Sequence, residues 1–222
     1  YSDRVEIIRN NETQTIKTTN PFDELKKLLG KYDDQRYRYL GGAVGVVNYD
    51  AIRLVENISE THDSPEPLME FGIYDDGIIY DNIDKKLFYF YHEENRFDKI
   101  IMSDDSFGEF HSSEITPNTD KEKFSDIVNK AKKLIHDGDI FQVVLSRKFT
   151  FDTNGDNLTL YKTLRKLNPS PYMYHLKQDS KTIIGASPEM LVRITGDKVE
   201  TFPIAGTRKV TDNEEKNIQL SE

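Results

Sequence analysis

Apolar positions recur at spacings of three and four from Phe124 through Ile127, Val128, Ala131 and Leu134 to Ile135, which lays one apolar stripe along a helix. Thr119 followed by Glu122 has the form of a capping box at its start. Gly138 supplies a residue able to turn left-handed at its end. A shorter helix is predicted from about Leu158 to Leu167, stopped ahead of Pro169. Most of the remaining pattern is that of strands. Gly41–Asp50 (GGAVGVVNYD) is β-branched and punctuated by glycine, as a buried strand lying close to other backbone would be. Ile78–Tyr80 and Lys86–His92, joined by turn residues Asn82–Asp84, read with the region from Phe71 as an antiparallel meander. Ile140–Phe151 is predicted as one long strand. Tyr172–Leu176, Thr182–Gly185 and Glu189–Thr195 follow, the last continuing past Gly196 into Lys198–Phe202. Loops are predicted at His62–Pro67 and from about Asp104 to Asn118, and the chain stops within a polar, helix-like stretch. Strands in meanders with a few helices define an α+β class, with no internal repeat.

Composition narrows the function without naming it. The balance of 30 Lys and Arg against 39 Asp and Glu gives a formal net charge of −9, the wrong sign for a face that binds nucleic-acid phosphates. The absence of cysteine excludes a disulfide framework and a thiolate zinc site. No apolar run approaches the roughly 20 residues that span a bilayer, and no leader pattern opens the chain. A cytoplasmic protein is therefore expected. Twelve Tyr and twelve Phe suit half-buried pleated surfaces and reinforce the sheet-rich reading.

The candidate chemistry, taken residue by residue, is sparse. His62, His92, His111, His136 and His175 show no paired ligand spacing. Asp75 and Asp76 fall in a predicted turn, where Asp serves local hydrogen bonds. Gly206 and Thr207 follow a strand and could present an amide and a hydroxyl to a carboxylate, although on chemistry alone a plain turn is the favoured account. Gln142 lies in an apolar predicted strand, where an unpaired amide would cost about 1–3 kcal/mol. Glu189 follows Ser187-Pro188 at a turn-to-strand junction, a usual place for an exposed carboxylate.

Four segments taken together add to this picture. GDIFQVVLSR (Gly138–Arg147), NPSPYMY (Asn168–Tyr174), GASPEMLVR (Gly185–Arg193) and PIAGTR (Pro203–Arg208) resemble, in order and spacing, the motifs of the chorismate-binding enzymes. Gly41–Arg53 is similar to an upstream block of the anthranilate and aminodeoxychorismate synthase branch, so the resemblance runs from about Asn20 onward. It implies an incomplete α+β fold of two-layered antiparallel sheets flanked by helices, with residues 1–222 forming part of a single catalytic domain. Chorismate is the implied substrate and magnesium the implied cofactor. Glu189 matches the glutamate proposed to protonate the departing C4 hydroxyl. Ala205, Gly206 and Thr207 match the segment lining the substrate ring, Thr207 being a catalytic candidate as well.

Two positions separate the branches. Where isochorismate and salicylate synthases carry a lysine that deprotonates water, this chain has Gln142, which cannot accept a proton at physiological pH. Where typical aminodeoxychorismate synthases carry a nucleophilic lysine, it has Ala205, which has no nucleophile. The pair fits the anthranilate synthase pattern, with ammonia delivered by a glutamine amidotransferase subunit. Asn168, Pro169, Ser170, Pro171, Tyr172 and Met173 resemble part of the tryptophan pocket used for feedback inhibition. The magnesium glutamates, a catalytic histidine and the groups holding the substrate carboxylates are expected beyond Glu222, so the chain by itself is expected to be inactive and to expose sheet edges and apolar surface. Aminodeoxychorismate synthase, some members of which lack the lysine, and a non-catalytic tryptophan- or partner-binding module stay open as alternatives.

Overall fold

The computed structural model describes residues 3–30, 37–59, 66–101, 107–204 and 209–221. Contacts divide the chain into two compact units, Tyr1–Asp105 and Ser106–Glu222. Its class is α+β, with antiparallel pairing in every ladder described.

The first unit opens with a hairpin that the hydrophobic pattern leaves unassigned. Strands β1 (Arg4–Arg9) and β2 (Glu12–Lys17) pair from Arg4↔Lys17 to Arg9↔Glu12. The two residues between them, Asn10 and Asn11, take φ of 53° and 64°, the left-handed turn whose twist matches that of the strands. Asn is one of the few side chains that tolerates it. Helix α1 (Pro21–Leu28) starts on a proline, whose fixed φ suits the first helical position. Strand β3 (Gly42–Val47) pairs with β4 (Met69–Tyr74), and a 3-10 turn over Tyr49–Leu54 follows β3. Gly45 meets the close backbone approach expected of this glycine-punctuated strand. A Cβ there would stand 2.0 Å from the Glu70 carbonyl oxygen.

Strands β5 (Asp76–Asp81) and β6 (Lys86–Tyr91) form the hairpin expected around Asn82–Asp84. Asp81 Oδ1 accepts from the Ile83 and Asp84 amides at 2.8 and 3.1 Å. The meander is not continuous, because β4 and β5 do not pair among the described residues. Asp75 alone separates them, and one residue is too short for a tight reversal. Its carbonyl instead accepts from the His92 amide at 2.9 Å, prolonging the β5–β6 ladder. Asp76 also departs from the local turn role expected of it. It is buried, it accepts from Arg96 Nε at 2.8 Å and from Tyr89 Oη at 2.9 Å, and a second Arg96 nitrogen closes a two-pronged ion pair. Arg96 sits just before the short helix α2 (Phe97–Ile101). The predicted loop over His62–Pro67 lies outside the described residues up to Pro65.

In the second unit, part of the stretch expected to be loop is strand. β7 (Phe110–Ser112) and β8 (Thr116–Pro117) precede the long helix α3 (Lys121–His136). The cap lies one residue later than the capping box predicts. Asp120 Oδ1, not Thr119, accepts the Lys123 amide at 2.8 Å. Gly138 follows at φ 85°, as the end of this helix requires. Strands β9 (Phe149–Thr150) and β10 (Thr153–Gly155) pair with β8 and β7. Helix α4 (Asn157–Leu167) is capped by Asp156, whose Oδ1 accepts from the Leu158 amide at 2.8 Å. Then come β11 (Tyr172–Gln178) and β12 (Lys181–Ser187), fully paired from Tyr172↔Ser187 to Gln178↔Lys181, and the short hairpin β13 (Arg193–Thr195) and β14 (Lys198–Glu200). Helix α5 (Glu214–Ser221) completes the described chain. Helix α4 packs on β11 and β12, with the Tyr161 and His175 rings 6.0 Å apart, edge to face.

The long strand predicted over Ile140–Phe151 is confined to Phe149 and Thr150. Its alternation is present in the sequence, but an extended segment becomes a strand only with a ladder partner. Among the described residues none lies beside 140–146. Phe141 is accordingly fully exposed and Val144 nearly so, at 85%. Order begins at Arg147, whose Nε donates to the Thr119 carbonyl at 2.7 Å and whose guanidinium stands 4.9 Å from the centre of the Phe149 ring. No helix among the described residues is long and apolar enough to cross a membrane.

Candidate functional site

Two of the segments that carry the family resemblance, NPSPYMY and GASPEMLVR, meet across β11 and β12. Tyr172 and Met173 of NPSPYMY stand directly across from Ser187 and Ala186 of GASPEMLVR. The last residue of β12 then turns the chain. Ser187 Oγ donates to the Glu189 carbonyl at 3.1 Å and accepts from the Glu189 amide at 3.3 Å, a local hydroxyl-to-backbone turn of the kind Ser favours ahead of a new element. Met190 is buried and tethers this turn, while Glu189 before it is exposed.

The Glu189 side chain does not simply face solvent. Its Oε1 accepts from the Ile204 amide at 3.1 Å, so the carboxylate is fixed to the chain immediately before Ala205. Between these two residues, Thr201 Oγ1 donates to the Leu191 carbonyl at 2.9 Å, and the β13–β14 ladder closes the far end with Arg193 opposite Glu200. Arg193 Nε and a second guanidinium nitrogen both reach Glu200 Oε2 at 3.0 Å, and Lys198 Nζ reaches Oε1 at 2.8 Å. Hydrogen bonds from Lys198 and then from Arg193 hold the Glu200 carboxyl below the ordinary carboxylate range, against a smaller opposing effect of burial.

Of the residues singled out from the sequence, Tyr172 and Met173 pair with Ser187 and Ala186 at the end of the strand that Glu189 follows by two residues. Ala205, Gly206 and Thr207 lie outside the described residues. Gln142 is exposed within the unpaired extended segment, and no hydrogen bond ties it to Glu189 among the described residues. Asn168 is the C-cap of α4, its amide donating to the Leu164 carbonyl at 2.8 Å. Pro169 and Pro171 are exposed and Ser170 is half-buried. Sequence reasoning missed the Arg193–Glu200–Lys198 group. The signal was available, since Gly196 marks a tight turn and the charges flank it symmetrically. The magnesium implied by the resemblance finds no ligand set, because no cluster of three or more His, Asp or Glu side chains is poised to hold a metal among the described residues.

A family model for chorismate binding enzymes matches residues 1–222. The chain belongs to the chorismate-binding enzyme family. Among its relatives, anthranilate synthase component 1 from Methanothermobacter marburgensis is 36% identical over 216 residues, covering 96% of this chain and 46% of that protein. Anthranilate synthase component 1 from Acetivibrio thermocellus is 35% identical over 252 residues, covering 99% and 51%. The crystal structure of anthranilate synthase component I from Streptococcus pneumoniae superposes with a TM-score of 0.70 at 27% identity, covering 90% of this chain and 51% of that one. The chain thus spans about half the length of the relatives it matches.

Proposed function

We propose that this chain carries the leaving-group acid and part of the substrate and inhibitor surfaces of an anthranilate synthase component I. The observation that supports the reading is the Glu189 carboxyl held 3.1 Å from the amide of Ile204, the residue ahead of Ala205. Family membership and the names of the relatives supply the substrate class.

In this reading ammonia adds to C2 of chorismate, and Glu189 gives its proton to the hydroxyl leaving C4, which departs as water. Elimination of the enolpyruvyl side chain as pyruvate then aromatises the ring, so chorismate and ammonia become anthranilate, pyruvate and water. A positioned acid contributes about 10²–10⁴-fold to such a step. Gln142, bearing an amide, has no proton-accepting role toward water, and the methyl of Ala205 cannot attack the ring, which leaves ammonia as the nucleophile. A glutamine amidotransferase subunit is the source of ammonia in this reading. Tryptophan would act on Asn168–Met173, whose last two residues pair with the strand that ends at Ser187. Magnesium and a cytoplasmic setting belong to the same reading, and the steps above draw on protein side chains alone.

Purified full-length protein given chorismate and ammonium in magnesium buffer is expected to develop anthranilate fluorescence and release pyruvate in equal amount. Isochorismate or aminodeoxychorismate as the product overturns the assignment. Titration of tryptophan beside chorismate separates an inhibited enzyme from a module that binds the amino acid alone.

A further inference from the structure

Glu189 is exposed, and an exposed carboxylate on a turn has no intrinsic reason to stay in one place. What aligns it is visible four residues away on each strand. Glu189 lies four residues before Arg193, and Ile204 lies four residues after Glu200. The Glu189–Ile204 hydrogen bond therefore falls in the same register as the Arg193↔Glu200 pair of the β13–β14 ladder. Between them the arm has only one described cross-link, from Thr201 Oγ1 to the Leu191 carbonyl, because the ladder proper ends at Arg193 and Glu200. A ladder of three residue pairs specifies its register weakly, and a slip by one residue exchanges the two faces of a strand. Beyond the buried Met190, the apolar side chains oppose such a slip little, since Leu191, Ile194 and Val199 are 87%, 68% and 65% exposed. Charge pairing does oppose it. Arg193 places two nitrogens on one oxygen of Glu200 while Lys198 holds the other, and the Arg193 guanidinium stands 5.9 Å from the centre of the Phe202 ring on the partner strand.

We propose that Arg193 and Glu200 are positioning residues that lock the register of the 189–204 arm and so hold the Glu189 carboxylate at the Ile204 amide. The proposal rests on the anthranilate synthase reading only for the use made of that carboxylate; the geometric claim stands by itself. In that use, a slipped arm would carry the leaving-group acid away from the segment it shares with Ile204, although neither Arg193 nor Glu200 itself touches substrate.

The test follows the Ile204 amide by NMR in the intact chain. In the wild type its resonance should move as pH falls and Glu189 gains a proton, and Glu189→Gln should abolish that movement. Arg193→Gln and Glu200→Gln should each abolish it too, while the amides of Tyr172–Gln178 keep their wild-type positions. The charge-exchanged double variant R193E/E200R should restore it. Should Arg193→Gln fail to fold, Arg193→Lys supplies the same comparison, with a partial loss expected because an ammonium cannot make the two-nitrogen contact. Retention of the full Ile204 response in the Gln variants, or no recovery in the exchanged pair, overturns the proposal. Chorismate added to the wild type forms a separate arm. If chorismate leaves the Ile204 and Glu189 resonances unmoved while the variants behave as described, the reading of function fails and the register lock stands.

Discussion

At the scale of single residues, the chemistry depends on who stands opposite whom, and that is where sequence reading reached least far. Asp76 looks like a turn residue, yet it is buried against Arg96, twenty positions on, and Tyr89. Nothing local announces such a partner. Hydrogen bonding from Arg96 holds the Asp76 carboxyl below the usual carboxylate range, burial opposes this, and the Tyr89 hydroxyl adds to the lowering. A carboxyl that is more acidic in the folded than in the unfolded chain stabilises the fold above the unfolded value of about 3.9, and that contribution disappears as pH falls through the lower folded value. Asp76→Asn should therefore unfold at lower temperature than wild type near neutrality, with the difference narrowing toward pH 3 in thermal melts followed by circular dichroism. Glu189, by contrast, was legible as a candidate through its motif, although its contact with Ile204 was not. On the proposed function, Glu189→Gln in the full-length protein should lower the rate of anthranilate formation about 10²–10⁴-fold while chorismate binding, measured by calorimetry, persists.

At the scale of elements, the helices were legible because a 3.6-residue stripe and its caps are local. Helices α3 and α4 fall close to their predicted spans, and the one displaced feature, a cap at Asp120 in place of Thr119, reflects two adjacent residues able to do the same task. Asp120→Ala should destabilise by about 1 kcal/mol, read from urea midpoints, whereas Thr119→Ala should change them little. Strands were legible where a tight turn joins two partners, as at Asn82–Asp84, and illegible where the partner is remote. Residues 140–146 have the alternation of a strand and lack a ladder among the described residues. Gly45 is the position where packing confirms the sequence pattern most directly. Gly45→Ala sets a methyl against the Glu70 carbonyl and should cost about 1–3 kcal/mol through forced separation of β3 and β4, measurable by the same denaturation.

At the scale of the whole molecule, family and class were carried by four motifs in order, and the match over residues 1–222 agrees with them. The resemblance also led to the expectation of open apolar surface, and single side chains bear it. Phe141, Val144, Leu191, Ile194 and Val199 are all at least 65% exposed. The stretch from Phe141 to Ser146, which has no ladder partner among the described residues, gives this a kinetic meaning. Lacking ladder bonds to shield them, those amides should take up deuterium nearly as fast as in an open chain. The β11–β12 amides should retain their protons far longer. Loss of that contrast when another polypeptide is added would then identify a strand donor by the clock of exchange alone.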